Sequence, residues 1–130
     1  IMGIDVNWFN ESRNAVLWTF QPGWTVIDYH NAADATTDLV DQHGSYYVIA
    51  DVRHIELAPT TILAPMRNRH SQIRSEYTAT IVVGAGSGLR ALLGAAQGMR
   101  PLRGKFIFVE TMGEAVALLE DRFGASAGDY

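Results

Sequence analysis

Ile4-Asp5-Val6-Asn7-Trp8-Phe9 and Ala15-Val16-Leu17-Trp18-Thr19-Phe20 are rich in the β-branched and aromatic residues that suit a pleated surface. The polar stretch Asn10-Glu11-Ser12-Arg13-Asn14 between them reads as a turn, so the pair predicts an antiparallel hairpin. Gln21-Pro22-Gly23 then breaks the second strand. Thr25, with Asp28 three residues on, matches a capping box with a shortened acid. Val26, Tyr29, Ala33 and Val40 follow as a helical stripe, which Gly44 is placed to end.

Tyr46 to Val52 is a continuous apolar run interrupted only by Asp51, the length of a strand buried on both faces. Pro59 and Pro65 bracket Thr60 to Ala64, and a helix is expected from about there to Ser75. Thr80-Ile81-Val82-Val83-Gly84 predicts another buried strand. Leu89, Leu92, Leu93 and Ala96 make a helical stripe ending near Gly98, with Pro101 preventing continuation. Phe106 to Val109 reads as a further buried strand, and Thr111-Met112-Gly113-Glu114 is a full capping box. Val116, Leu119 and Phe123 line the last helix before Gly124. The order is therefore ββαβαβαβα. Strict alternation after a hairpin predicts an α/β fold with a largely parallel sheet and right-handed crossovers, its helices on one face or both.

The 130 residues suit a single domain over residues 1–130, with about 125–130 as a frayed tail. With 48% hydrophobic and 18% charged residues, neither a disordered nor a fibrous composition fits. The absence of cysteine excludes disulfide scaffolds, thiolate metal sites and a cysteine nucleophile. No apolar run approaches the ~20 residues a membrane-spanning helix needs, and no basic-then-apolar leader opens the chain. A cytoplasmic domain without membrane association is the expectation.

A net charge of −4 argues against a nucleic-acid partner, but it conceals a pattern. Residues 1–52 carry seven acids against Arg13 alone, and residues 53–105 carry eight bases against Glu56 and Glu76. From 106 onward five acids face Arg122. The middle third either neutralises its neighbours within the fold or presents a cationic face to an acidic partner.

Val82-Val83-Gly84-Ala85-Gly86-Ser87-Gly88, with Glu110 after the next strand, outlines a dinucleotide fingerprint but fails its spacing, because Leu89 stands where the third glycine belongs. A tight strand-to-helix turn is the better reading, with Gly86, Ser87 and Gly88 as a candidate anion site at the helix N-terminus. The serine is also out of frame for a nucleophile elbow. His30, His43, His54 and His70 show no paired metal-ligand spacing, so neither metal nor cofactor is expected. Asp51 and Glu56 flank the end of a central strand, where one carboxylate could act as a base, but no partner nucleophile accompanies them.

The element order, the strand Tyr47-Val48-Ile49-Ala50-Asp51-Val52 and the ending Lys105-Phe106-Ile107-Phe108-Val109-Glu110-Thr111-Met112-Gly113-Glu114-Ala115 resemble the STAS domain of bacterial anti-sigma-factor antagonists. The family's phosphorylated Asp-Ser-Ser-Gly loop is replaced here by Leu57-Ala58-Pro59-Thr60-Thr61-Ile62. Thr60 and Thr61 stand near the phosphoacceptor position and equally suit helix capping.

The resemblance implies a non-enzymatic interaction module of a bacterial regulatory pathway, with an anti-sigma or kinase-like protein partner. Its docking residues would be Arg53, Glu56, Thr60, Thr61, Arg67, Arg69 and Arg74. The hairpin's edge strand would favour a homodimer. STAS-like folds also resemble the CRAL-TRIO lipid carriers, which implies an alternative: Trp8, Phe9, Trp18, Phe20 and Trp24 lining a site for a small apolar ligand or lipid. A nucleotide-binding protein using the Gly84–Gly88 turn is the third reading.

Overall fold

The computed structural model describes residues 3–41, 44–72 and 76–123. Five strands form one sheet: β1 (Ile4–Trp8), β2 (Ala15–Phe20), β3 (Tyr46–Asp51), β4 (Tyr77–Val83) and β5 (Phe106–Val109), in spatial order β1-β2-β3-β4-β5. β1 and β2 are antiparallel and every other pair is parallel. The helices are α1 (Val26–Val40), α2 (Leu63–His70), α3 (Ser87–Ala96) and α4 (Met112–Phe123), with a short 3₁₀ turn at Arg100–Leu102. The chain is an α/β protein with the element order that the sequence predicts.

From β2 to β5 every crossover steps the same way across the sheet. Right-handed crossovers in one direction carry their helices to one face. Buried residues of α1 (Tyr29, Ala32, Val40), α2 (Met66) and α3 (Leu89, Ala96) accordingly share a core with Val16, Trp18, Phe20, Val48, Ala50 and Val82. Among the described residues no further strand follows α4, which covers the opposite face. Ala115 and Leu119 pack there on Ala15, Tyr47, Ile49, Ala79, Ile81 and Val83. The strict alternation of these two sets along β3 is the two-residue period of a strand buried on both sides.

Both capping boxes form. Thr25 Oγ1 accepts from the Asp28 amide while Asp28 accepts from the Thr25 amide, and Thr111 and Glu114 repeat the exchange. In the hairpin turn, Asn10 Nδ2 donates to Asn14 Oδ1 at 2.6 Å, and Arg13 takes a positive φ of 55°.

Several boundaries differ from the sequence expectation. α1 ends at Val40 with Asp41 as its C-cap, so Gly44 does not terminate it directly. α2 ends at His70 rather than near Ser75, which lies outside the described residues. Its N-cap is Ile62, with no side-chain cap, so neither Thr60 nor Thr61 caps it. The chain enters α2 in helical geometry, with Ile62 turned into the core at 2% exposure, and the two exposed threonines stand two residues and one residue before the capping position. β4 begins at Tyr77, three residues early, because Tyr77 pairs with Tyr46 at the sheet's N-terminal end. β5 is half-buried rather than fully buried, as the sheet's outer strand has only one neighbour. No helix among the described residues is long and apolar enough to cross a membrane.

Candidate functional site

At the C-terminal edge of the sheet, β3 delivers Asp51 buried at 4% exposure. Arg53 turns back over it, placing Nε 2.8 Å from Oδ1 and Nη2 2.8 Å from Oδ2, and the Arg53 amide donates to Oδ1 as well. These hydrogen bonds to Arg53 hold the Asp51 carboxyl below the usual aspartate range. An ionised, doubly held carboxylate is a poor proton acceptor at neutral pH, so Asp51 does not fit the role of a base.

Gly84 makes the approach possible. Its φ is +75°, and a Cβ there would stand 2.5 Å from Arg53 Cγ. A Cβ on Gly88 would meet the Glu56 carbonyl at 3.7 Å, so the β3–α2 loop lies along the β4–α3 turn. The turn is the tight connection expected from its glycines, with Gly86 as N-cap of α3 and Ser87 and Gly88 in its first turn. Glu110, the acid that the dinucleotide outline assigns to a ribose, is instead paired with Arg90 at 2.8 Å. Arg90 also covers the Phe108 ring and donates to the Ala85 carbonyl.

The candidate docking residues separate in space. Glu56, Thr60, Thr61 and Arg67 are exposed. Arg53 is committed to Asp51. Arg69 reaches across to α1, donating from Nε to His30 Nδ1 and from Nη1 to Asp34 Oδ1, both at 2.9 Å. Arg74 and His43 lie outside the described residues. No cluster of three metal-ligating side chains occurs among the described residues.

A partly open cavity of about 300 Å³ lies between the sheet and α1–α3. Tyr46, Val48, Ala50 and Val52 form one wall. At the usual strand rise their six residue steps span roughly 20 Å. Of the aromatic residues singled out in the sequence, Trp18, Phe20 and Trp24 line the cavity. Trp8 packs at the edge of the same core, and Phe9 packs with the α4 core on the opposite face. Phe20 meets Trp24 edge-on at 5.0 Å, and Trp18 meets Tyr29 edge-on at 5.9 Å.

The polar atoms on this wall are few. Trp18 Nε1 donates to Thr36 Oγ1 at 2.8 Å, and that hydroxyl donates to the Ala32 carbonyl. His70 Nδ1 lies 2.9 Å from the Met66 carbonyl and must donate to it, which leaves Nε2 facing the Tyr77 hydroxyl at 3.4 Å. Tyr77 in turn shares a 2.6 Å hydrogen bond with Thr80. Burial lowers the His70 pKa and raises that of Tyr77, so both are neutral at pH 7. Burial also pushes Tyr29 up to about 12, and no hydrogen bond contributes to that shift. Trp24 Nε1 is buried without a partner.

Sequence reasoning identified the tryptophans but not Tyr29, Thr36, His70, Tyr77 or Thr80. The available signal was Ala50, a small residue in the middle of a strand otherwise filled by large ones. No protein-family model matches the chain, and no curated protein matches it.

Proposed function

We propose that this chain binds a small apolar molecule in the cavity between its sheet and α1–α3. The observation that carries the reading is the cavity itself. Protein interiors pack at the density of organic crystals, with few voids larger than a water molecule. Roughly 300–1,000 Å³ is the usual range for ligand pockets, and an apolar void of about 150 Å³ already takes up benzene. Here about 300 Å³ is walled mainly by aromatic and aliphatic side chains.

The test is titration with the apolar dye N-phenylnaphthylamine, comparing the native chain with Ala50→Leu. Ala50 is 7% exposed and sits midway along the cavity wall, so a leucine there occupies ligand space. Saturable one-to-one binding that the substitution removes, with the fold retained by circular dichroism, supports the reading. Absence of saturable binding to the native chain refutes it.

A second reading, a STAS-like module that docks a regulatory protein, is favoured by the exposed run Glu56, Leu57, Thr60, Thr61 and Arg67, in which Leu57 is 79% exposed. Arg67→Glu is its diagnostic variant. Arg69→Glu is not, because the new acid would face Asp34 and disturb the α1–α2 contact. Unchanged affinity of Arg67→Glu and Leu57→Ser for a captured anti-sigma or kinase-like partner would sink this alternative.

A further inference from the structure

The cavity is partly open, and its exposed lining residues mark where it meets solvent. Thr37 of α1 and Gln72, just past the end of α2, both line it and are both exposed. Arg69 crosses this mouth from α2 to α1, with 31% of its side chain open to solvent. It is the one ion among the described lining residues at neutral pH, since burial keeps His70 neutral and no carboxylate lines the cavity.

Deeper in, the polar groups serve one another. Trp18 donates to Thr36, His70 donates to the Met66 carbonyl, and Tyr77 shares its bond with Thr80. Tyr29 differs. It lines the cavity at 7% exposure, and its hydroxyl makes no hydrogen bond among the described residues. Trp24 Nε1 is the one described buried side-chain nitrogen or oxygen with neither a partner nor accessible surface, so the unbonded Tyr29 hydroxyl keeps accessible surface. Trp18 and His30 hold the Tyr29 ring edge-on, and the nearby Arg69 charge partly offsets the burial that raises its pKa.

Arg69 has donors to spare. A guanidinium carries five N–H groups, and His30 takes the Nε–H while Asp34 takes one from Nη1. Asp34 is 68% exposed, so its pairing is solvent-screened and leaves the guanidinium able to serve a second anion. A carboxylate at this mouth stays partly hydrated, whereas one deep in the cavity would be stripped of water without a counter-ion.

Resting on the cavity-binding reading above, we infer that the ligand is a single-chain amphiphile with a carboxylate head. Its hydrocarbon chain lies in the cavity, and its carboxylate accepts from the Arg69 guanidinium and the Tyr29 hydroxyl at the mouth. The head group sets the orientation, and the chain gains about 0.8 kcal/mol per buried methylene.

The experiment compares decanoate, decanol and decylammonium at pH 8 by calorimetric titration of the native chain, Tyr29→Phe and Arg69→Gln. The three probes share one chain and differ in the charge of the head. The expected order is decanoate tightest, decanol weaker and decylammonium weakest. Each substitution should weaken decanoate by roughly ten- to a hundredfold, the worth of a hydrogen bond to a charged group, and change decanol far less. Tyr29→Phe removes no hydrogen bond from the free chain, so it remains decisive should Arg69→Gln fail to fold. Equal binding of decanoate and decanol overturns the inference but leaves the cavity reading standing, and tightest binding of decylammonium overturns it on the sign of the charge. Tight decanoate binding that Tyr29→Phe leaves unchanged overturns the assigned head-group site. Binding of none of the three removes the cavity reading and the inference together.

Discussion

Arg53 holds Asp51 through two parallel hydrogen bonds of 2.8 Å, one to each carboxylate oxygen, although the two residues are only two apart in sequence. The acid is buried at the end of a central strand and the base is half exposed, with 46% of its side chain open to solvent. The pair therefore fixes the β3–α2 loop more than it adds to the core.

Because Arg53 holds the folded-state pKa of Asp51 below the ordinary value near 3.9, the ionised form favours folding. That contribution is complete above the ordinary value and is lost as pH falls through it toward the lower folded-state value. Asp51→Asn should destabilise the chain at neutral pH by about 2 kcal/mol, discounted from the cost of breaking a fully buried pair. The difference should shrink in urea denaturation near pH 3. A difference independent of pH would contradict the role assigned to the pair.

Gly84→Ala should lose about 1–2 kcal/mol from its positive φ alone. The added Cβ also forces Arg53 aside, since it would stand 2.5 Å from Arg53 Cγ. Carbon-detected NMR titration of Asp51 in this variant should show its pKa rising toward the ordinary aspartate value. An unmoved pKa would show that Arg53 keeps its grip without the glycine.

Thr36→Val nearly preserves shape but removes the acceptor of Trp18 Nε1. A cost of about 1–2 kcal/mol is expected in thermal or urea unfolding, from one stranded buried donor. The variant's Trp18 indole proton should shift upfield relative to the native chain.

His70 titrates below its ordinary value near 6.5 because burial disfavours its charged form. Its contribution is full above that ordinary value and declines as pH falls below it, since the unfolded chain takes up the proton first. The native chain should therefore lose stability from about pH 6.5 downward, and His70→Gln should flatten that limb. Identical slopes in the two proteins would place the titration elsewhere.

The strands and helices were legible because each announces itself locally. β3 is a run of large apolar residues, the hairpin is two aromatic segments about a polar turn, and both capping boxes pair an acid with a threonine three residues away. The limits of α2 were not legible. Its start depends on Ile62 reaching the core and its end on where the chain must turn toward Tyr77, and both are tertiary demands. The docking surface also read differently in sequence. Arg53, Arg67 and Arg69 look like one basic block, yet Arg53 folds onto Asp51, Arg69 spans 35 residues to Asp34, and Arg67 lies exposed beside Asn68.

By itself the sequence determined an α/β chain with a hairpin and a parallel sheet, because side-chain period and turn chemistry are properties of neighbouring residues. The tertiary structure alone decided that α1–α3 share one face, that Trp18, Phe20 and Trp24 close around a cavity with His70 and Tyr77, and that Trp24 is left without an acceptor. Those relationships join residues tens of positions apart. They are set by the direction of the crossovers and by the volume left over when the layers pack, and no local pattern encodes either.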